Sequence, residues 1–488
     1  MTRRSASKNE NCQEKCSKSS IYPDLSLITK LENAVPNITG YFPPDPILAV
    51  GPKTAITMVN TSIAIFNKKT LERIYFDSLT NFFESESSGD PWIVYDEYSK
   101  RFVLCDFSVA PDSSFTLLRV GVSKNSTPKN SKDFYKYVCE VPLFADYPKL
   151  AVDREGLYIS TLDFVGGEDG STAGNSIRAF KIKPLLDGSS PVNISPIYEK
   201  TFPVNDDNAW LRFLFPAQPR YCKYDKKSYK VLFIQGVDNS TFYPGGFKGD
   251  KLRVYQIKKL LSAPVAVYAE VTVPPFVGSA FEVPQPPPNI PIPEDEDIVG
   301  LAARQGRFMT GVVANKSLWA AHMLSVQPDL TRSTSVWYQI DVSKFLSCNT
   351  VSLVQSGNVD AGGETNQIYP AINVDKHGNM GIQFTLVGRE NYPTVAYTGR
   401  LKEDPLGKVR LPYQLVAGGN LYYQYLVNGQ NRWGDYSGLA IDPKDHETFW
   451  LFSEYPIVTD QSDWTTVLAA FKIEKCGGSV NGTQKSRK

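Results

Sequence analysis

A short grammar of residues recurs along this chain and constrains what it can fold into more than any single motif. Each unit has a polar lead-in, a short apolar run ending in Asp, a turn, and an aromatic-rich run. The last copy is "RWGDYSGLAIDPKDHETFWLFSEY" (432–455), turning at Asp442. Others are "GDPWIVYDEYSKRFVLCDFS" around Asp96, "ADYPKLAVDREGLYISTLDF" around Asp153, "AQPRYCKYDKKSYKVLFIQG" around Asp225 and "IYPAINVDKHGNMGIQFTLVG" around Asp375. Two copies are degenerate. Gly51 replaces the Asp in "PPDPILAVGPKTAITMVN", and Ala314 replaces it in "GRFMTGVVANKSLWAAHML". A fivefold-recurring Asp before a turn suits Asx hydrogen bonding better than catalysis, which has no use for five copies.

Every unit continues alike. An alternating run such as "SIAIFNK", "SIRAFKIK" or "KLRVYQIKK" follows the aromatic one, and most units add a fourth, such as "RIYFDSL" or "VAVYAEVTV". The period is two, and β-branched and aromatic residues are enriched. With 26 Tyr and 26 Phe against 5 Met, composition points the same way. Seven four-stranded units predict an all-β fold: a single seven-bladed β-propeller of antiparallel blades. A ring needs its ends fastened. The seventh unit holds three strands, near 437–442, 448–455 and 464–473, and the tail beyond cannot form a fourth. "DLSLITKLENAV" alternates at Leu25, Leu27, Thr29 and Leu31, so residues 24–34 are expected to be that missing outer strand, a velcro closure. A short rim helix capped by Asp24 is the alternative.

The propeller is thus expected over 24–474, between disordered polar tails at 1–23 and 475–488. A Pro-rich segment, 273–300, ends in acids and links the fourth and fifth units. Its prolines exclude a strand interior, leaving either a loop that meets a partner or a packing arm. The net charge of +1 from 52 basic and 51 acidic residues gives nucleic acid no electrostatic footprint. No run reaches the roughly 20 apolar residues of a membrane helix, and the N-terminus lacks the apolar core of a signal peptide. The cysteines are odd in number and scattered. Cys105, Cys139 and Cys222 read as buried thiols, and "CQEKC" makes a poor zinc site. A monomer is expected.

In a propeller these polar lead-ins converge on one channel mouth. In chain order they give Asp45, Asp90, Asp146, Gln218, Arg307, Tyr369 and Asp435, with Arg220, Arg432, Trp433 and Tyr436 adjoining. Four carboxylates around one mouth suit Ca²⁺. Mixed with Arg and Tyr, they equally suit a sugar or a carboxylated ligand. The bland reading is that lead-in Asp residues cap backbone amides where strands begin. His322 reads as a satisfied core residue, and His377 and His446 follow the turn Asp. No Ser or Cys nearby makes a triad. "GGEDGSTAG" is a hairpin connection rather than a phosphate loop.

"PPDPILAVGP", "GDPWIVYD", "DYPKLAVD", "SLWAAHM" and "RWGDYSGLAIDP…TFWLFSEY" together resemble a group of largely uncharacterised propeller proteins of bacteria and giant viruses. The similarity covers about residues 40–474. It implies architecture, and a secreted or virion location, but carries no catalytic residues. Sialidases are a second resemblance. Arg220, Arg307, Arg432 and Tyr436 would supply part of their chemistry, but the Ser-x-Asp-x-Gly-x-x-Trp boxes are missing. The leading expectation is a non-catalytic binding or structural module meeting a protein or carbohydrate partner at the mouth and the Pro-rich loop. The other is a sialidase-like or metal-assisted hydrolase at the same place.

Overall fold

In the computed structural model, residues 24–474 are described except 38–39, 111–113, 168–169, 205–211, 221–228, 244–245, 279, 293, 295, 305, 327–329, 361, 412 and 459–461. Expectations for the two tails, Asp225, Cys222 and the "CQEKC" pair lie outside these residues. The alternating runs form up-and-down antiparallel meanders of four strands over 47–78, 89–141, 144–202, 215–277, 308–358 and 365–418. Residues 438–474 supply three strands of a further sheet. Each meander begins with an inner strand: Ile47–Val50, Gly89–Asp96, Phe144–Val152, Phe215–Pro219, Phe308–Ala314, Thr365–Val374 and Gly438–Ile441. Each inner strand touches the one before and the one after, and Gly438–Ile441 touches Ile47–Val50. The contacts run in a circle, so the chain is a β-propeller around a central channel.

The N-terminal strand Asp24–Glu32 joins the end of the chain. It pairs antiparallel with Ser462–Glu474, Leu25 opposite Ile473 and Leu31 opposite Leu468, with a bulge between Leu27 and Thr29. The rim helix is not formed, because the alternating leucines find a partner edge that would otherwise be open. Ala34 N–H then donates to Thr466 O at 3.0 Å, and Val35 N–H donates to Thr466 Oγ1 at 2.9 Å.

Apolar side chains from facing sheets make the core. Phe102, Leu104, Leu118, Val120 and Val122 are fully buried between neighbouring meanders, as are Phe449, Leu451 and Phe471 near the join. Buried Arg–Asp pairs cross-brace single meanders. Arg119 is bonded to Asp106 and to the carbonyls of Ser85 and Glu86, and Arg178 to Asp163 and Glu199.

The turn aspartates behave as expected. Asp153 accepts from the N–H groups of Glu155 at 2.8 Å and Gly156 at 3.0 Å, and Asp375 from His377 at 2.8 Å and Asn379 at 2.9 Å. Asp96 and Asp442 do likewise with Ser99 and Lys444. His322 lies in the core between Gly306 O at 2.8 Å and the Tyr338 hydroxyl at 3.1 Å, and burial lowers its pKa to about 4.

The Pro-rich segment departs from expectation. Strand Val265–Val277 runs through Pro274 and Pro275, which is tolerated because it is the outermost strand of its meander and a register shift occurs there. Ala280–Val283 and Leu301–Arg304 form a hairpin that joins Leu426–Val427 and Gln430–Asn431 in a small extra sheet. Between them the chain is a packing arm. Gln285 brackets the N–H and C=O of Tyr423, Tyr422 donates to Val299 O, and Tyr392 donates to Pro287 O.

Gly438 marks the inner seam between the last and first meanders. A Cβ there would sit 2.7 Å from Leu48 N and 2.6 Å from Leu48 Cδ2. Gly438→Ala is therefore expected to push these strands apart and cost about 1–3 kcal/mol, measured as a lowered urea midpoint at unchanged m-value.

Candidate functional site: the channel mouth

One backbone device recurs at the start of four inner strands. The residue just before the first proline of the strand has a left-handed φ at Asp45 (47°), Asp90 (48°), Tyr147 (57°) and Tyr369 (51°). Non-glycine residues avoid this region, more so before proline, so surrounding contacts must hold it. In the strands beginning near Asp90, Tyr147 and Tyr369 the register also slips at this point. Such a bulge re-aims side chains. Here the polar lead-ins line a cavity of about 520 Å³ at one end of the channel.

Asn60 ties two lead-ins together. Its Nδ2 donates to Asp45 Oδ2 at 3.0 Å and to Pro43 O at 2.7 Å, while its Oδ1 accepts from Asp90 N–H at 2.7 Å. Asp45 Oδ1 in turn accepts from Asp435 N–H at 2.7 Å. Asp435 then takes two guanidiniums, Arg307 Nη2 on Oδ1 and Arg432 Nη2 on Oδ2, each at 2.8 Å. Gly434 allows this loop to lie flat, since a Cβ would meet Glu454 Oε1 at 3.0 Å and Asp45 Oδ1 at 3.5 Å.

Burial and crowding separate the carboxyls. Asp45 is raised well above the ordinary range by burial, then by the charges of Asp435 and Asp90. Asp146 is raised by burial and Asp90. Burial pulls Asp435 upward too, but Arg432, Arg307 and Lys149 outweigh it and hold that carboxyl below the usual value. Asp435 is thus the ionised anchor, while Asp45 and Asp146 favour their neutral forms. Glu454 is pushed up to about 8 by burial behind Gly434.

Lys149, Tyr147, Asn60 and Glu454 were not among the residues expected here. Lys149 is fully buried, its ammonium 3.4 Å from the Tyr147 ring centroid, 4.0 Å from that of Tyr436 and 5.0 Å from that of Trp92. Burial lowers its pKa to about 8, against the pull of Asp90 and Asp45. Its signal was present in the sequence, a lysine inside the apolar run "YPKLAV". Tyr147 adjoins the expected Asp146, and its ring lies 4.2 Å from the Arg307 guanidinium carbon. Asn60 sits in a turn outside the repeating lead-in pattern, so scanning lead-ins could not find it.

The cavity wall brings together Asp45, Asp90, Asp146, Arg307, Tyr369, Arg432 and Asp435 as expected. Four expected residues lie elsewhere. Trp433 is buried, its Nε1 donating to Thr385 Oγ1 at 3.2 Å and its ring edge-on to Tyr423. Tyr436 is buried as well and donates to Pro91 O at 2.9 Å. Gln218 and Arg220 are at the other end of the channel. Their unit has Pro in two registers, and the true lead-in is Phe215-Pro216, three residues earlier, or about 10 Å along a strand. Gln218 pairs with both backbone groups of Val152. Arg220 crosses the channel, donating to Glu97 at 2.6 Å and Val374 O at 2.9 Å, with His446 Nδ1 at 3.1 Å. Between the two ends lies a smaller cavity of about 100 Å³.

Calcium does not fit the observed arrangement. Among the described residues no three His, Cys, Asp or Glu side chains are grouped to hold a metal ion. The carboxylates of the mouth are interleaved with Arg307, Arg432 and Lys149 instead, so a divalent ion would meet cations as well as oxygens. Nor is any described helix long and apolar enough to cross a membrane.

No family model matches the chain, and no curated protein matches it. Solved structures are similar only at a distance. The extracellular domains 1–2 of Drosophila Semaphorin 1a are 8% identical, with 91% of this chain and 89% of that chain covered and a TM-score of 0.42. U3-55K is 8% identical over 88% and 97%, with a TM-score of 0.41. The β-propeller domain of the Trilobed protease from Pyrococcus furiosus is 8% identical over 78% and 98%, with a TM-score of 0.33. Such values carry nothing about ligand or activity.

Two outcomes follow from this geometry. Arg220→Ala removes a largely buried guanidinium from Glu97 and is expected to cost about 3 kcal/mol in chemical denaturation. Asp146→Asn is expected to stabilise the protein near neutral pH. Below the unfolded-state carboxyl pKa both states are protonated and Asp146 costs nothing. As pH rises toward its higher folded-state pKa, the unfolded chain ionises freely and the folded one does not, so stability falls. The difference between Asn variant and parent should therefore vanish in acid and grow toward neutrality, read from melts across pH.

Proposed function

We propose that this chain is a binding module without catalytic activity, a seven-bladed propeller over residues 24–474 closed by its N-terminal strand. Its ligand is a small polar molecule received at the mouth lined by Asp45, Asp90, Asp146 and Asp435. The circle of inner-strand contacts and the pairing of Asp24–Glu32 with Ser462–Glu474 support the ring. The observation that carries the binding reading is the Asp435 junction. One carboxylate is held by Arg307, Arg432 and, through its backbone, Asp45, so the polar groups of the mouth are fixed before any ligand arrives. Preorganisation of this kind favours recognition by lowering the ordering cost. Exposed Tyr41 and the edges of the largely buried Phe107 and Phe144 add apolar surface to the cavity wall. The motif resemblance to uncharacterised bacterial and giant-virus propellers belongs to this proposal, as do a monomeric state and a partner at the Pro-rich arm.

A hydrolase is the second reading, favoured by one feature. Asp146 is inclined to keep its proton and lies close enough to Asp90 to feel its charge. Carboxyls set apart in this way are how one site holds both an acid and a base.

A library of sugars, amino acids, nucleosides and small peptides, screened by thermal shift, separates the two. The binding reading expects stabilisation by one ligand class, about 2.7 kcal/mol at a hundred times Kd. It also expects loss of that stabilisation in Asp435→Asn and no turnover of glycosides, esters or phosphoesters. Turnover that disappears in both Asp90→Asn and Asp146→Asn would replace it with the hydrolase.

A further inference from the structure

The mouth carries charges of both signs, and the hydrogen bonds each one leaves unmade narrow the ligand. Asp90 and Asp146 open the second and third meanders, which are neighbours in the ring. Among the described residues the Asp90 carboxylate has no hydrogen-bond donor, and that of Asp146 has only the Tyr147 N–H at 2.7 Å. Two carboxyl groups stand there above one ammonium, that of Lys149, which lies beneath among the rings. Phe107 pairs with Gly89 beside Asp90, and Phe144 precedes Asp146 on the same strand face, so both acids have an aromatic neighbour. Arg307 immediately precedes the fifth meander, its guanidinium over the Tyr147 ring, and Arg432 lies in the loop entering the last. These two guanidiniums share the Asp435 carboxylate, and the other carboxyl at that junction, Asp45, favours its neutral form. Arg432 spends only Nη2 on it, and its side chain is 32% exposed toward the mouth.

We propose that the ligand is a small zwitterion, an α-amino acid or a short peptide with free termini. Its ammonium lies at Asp90 and Asp146, its carboxylate at Arg432, and its side chain against Phe107 and Phe144. The inference rests on the mouth being a binding site and adds the chemical class. A carboxylate facing an ammonium beside an aromatic ring combines a charge-assisted hydrogen bond with a cation–π contact. A guanidinium with unspent N–H groups is the natural partner of a carboxylate. A neutral sugar would use neither excess charge, and a dianion would meet Asp90. The raised Asp146 carboxyl fits the same picture, because an arriving ammonium favours its ionised form and binding would release a proton.

Isothermal titration on the full chain tests this, using free amino acids and di- and tripeptides, their N-acetyl and C-amide derivatives, and glucose as the neutral comparator. The expectation is that a free zwitterion binds and that N-acetylation or C-amidation each weakens it about tenfold or more. Asp90→Asn combined with Asp146→Asn should remove the penalty for N-acetylation but keep that for amidation. Arg432→Gln should do the reverse. The ligand derivatives on the unaltered protein decide the matter even if a variant misfolds. Equal binding of free and blocked ligands, or binding of glucose with no zwitterion bound, would overturn the inference while leaving the mouth a binding site. No binding by any class would instead remove the binding reading itself.

Discussion

Every inner strand in this protein has to satisfy two neighbours, and the last must find the first. That circular requirement governs the rest. A linear stack of sheets would leave one apolar face and one unpaired edge open at each end. Here the face is covered where Gly438 lies against Leu48, and the edge where Asp24–Glu32 lies against Ser462–Glu474. The entropy of bringing together residues more than four hundred positions apart grows only logarithmically with loop length. The buried apolar seam and the paired edge offset it.

The ring also explains why polar residues accumulate at the channel ends. At the mouth end the ladder slips in three inner strands, where backbone groups lose their regular partners. Side chains replace those partners. At the mouth Asn60, Asp45 and Asp435 link the first, second and last meanders through single hydrogen bonds. At the other end Arg220 reaches Glu97, Val374 and His446 on three other meanders, and Gln218 and Lys68 add links to Val152 and Asp442. Structural bracing and the proposed ligand recognition therefore draw on the same residues. At the mouth, however, Asp90, Asp146 and part of Arg432 are left over from the bracing, and that surplus is what a ligand can use.

Much of this architecture was legible beforehand. Alternating apolar residues located the strands, the recurrent Asp located the tight turns, and an incomplete last unit pointed to Leu25–Leu31. The Pro-rich segment was harder. Its prolines argue against a strand interior, yet Pro274 and Pro275 lie within a strand, on an outer edge where no ladder partner needs their missing N–H. The mouth was half legible. Aligning the units by their first proline worked for Asp45, Asp90 and Tyr369. It failed for Gln218 because "FPAQPR" offers two prolines, and only pairing with the neighbouring strands selects the first.

What the sequence determined by itself was period, and hence strand, turn and repeat, since these depend on residues a few positions apart. Which end of the channel each polar residue reaches was decided by tertiary structure, because a shift of three residues along a strand moves a side chain about 10 Å. Protonation was decided there too. Asp146 and Asp435 are the same residue type in the same part of the repeat, yet one is raised and the other lowered. Arg307, from 128 residues away, joins the local Arg432 around the second, and Asp90 from the neighbouring meander faces the first; only the folded ring brings Arg307 and Asp90 there.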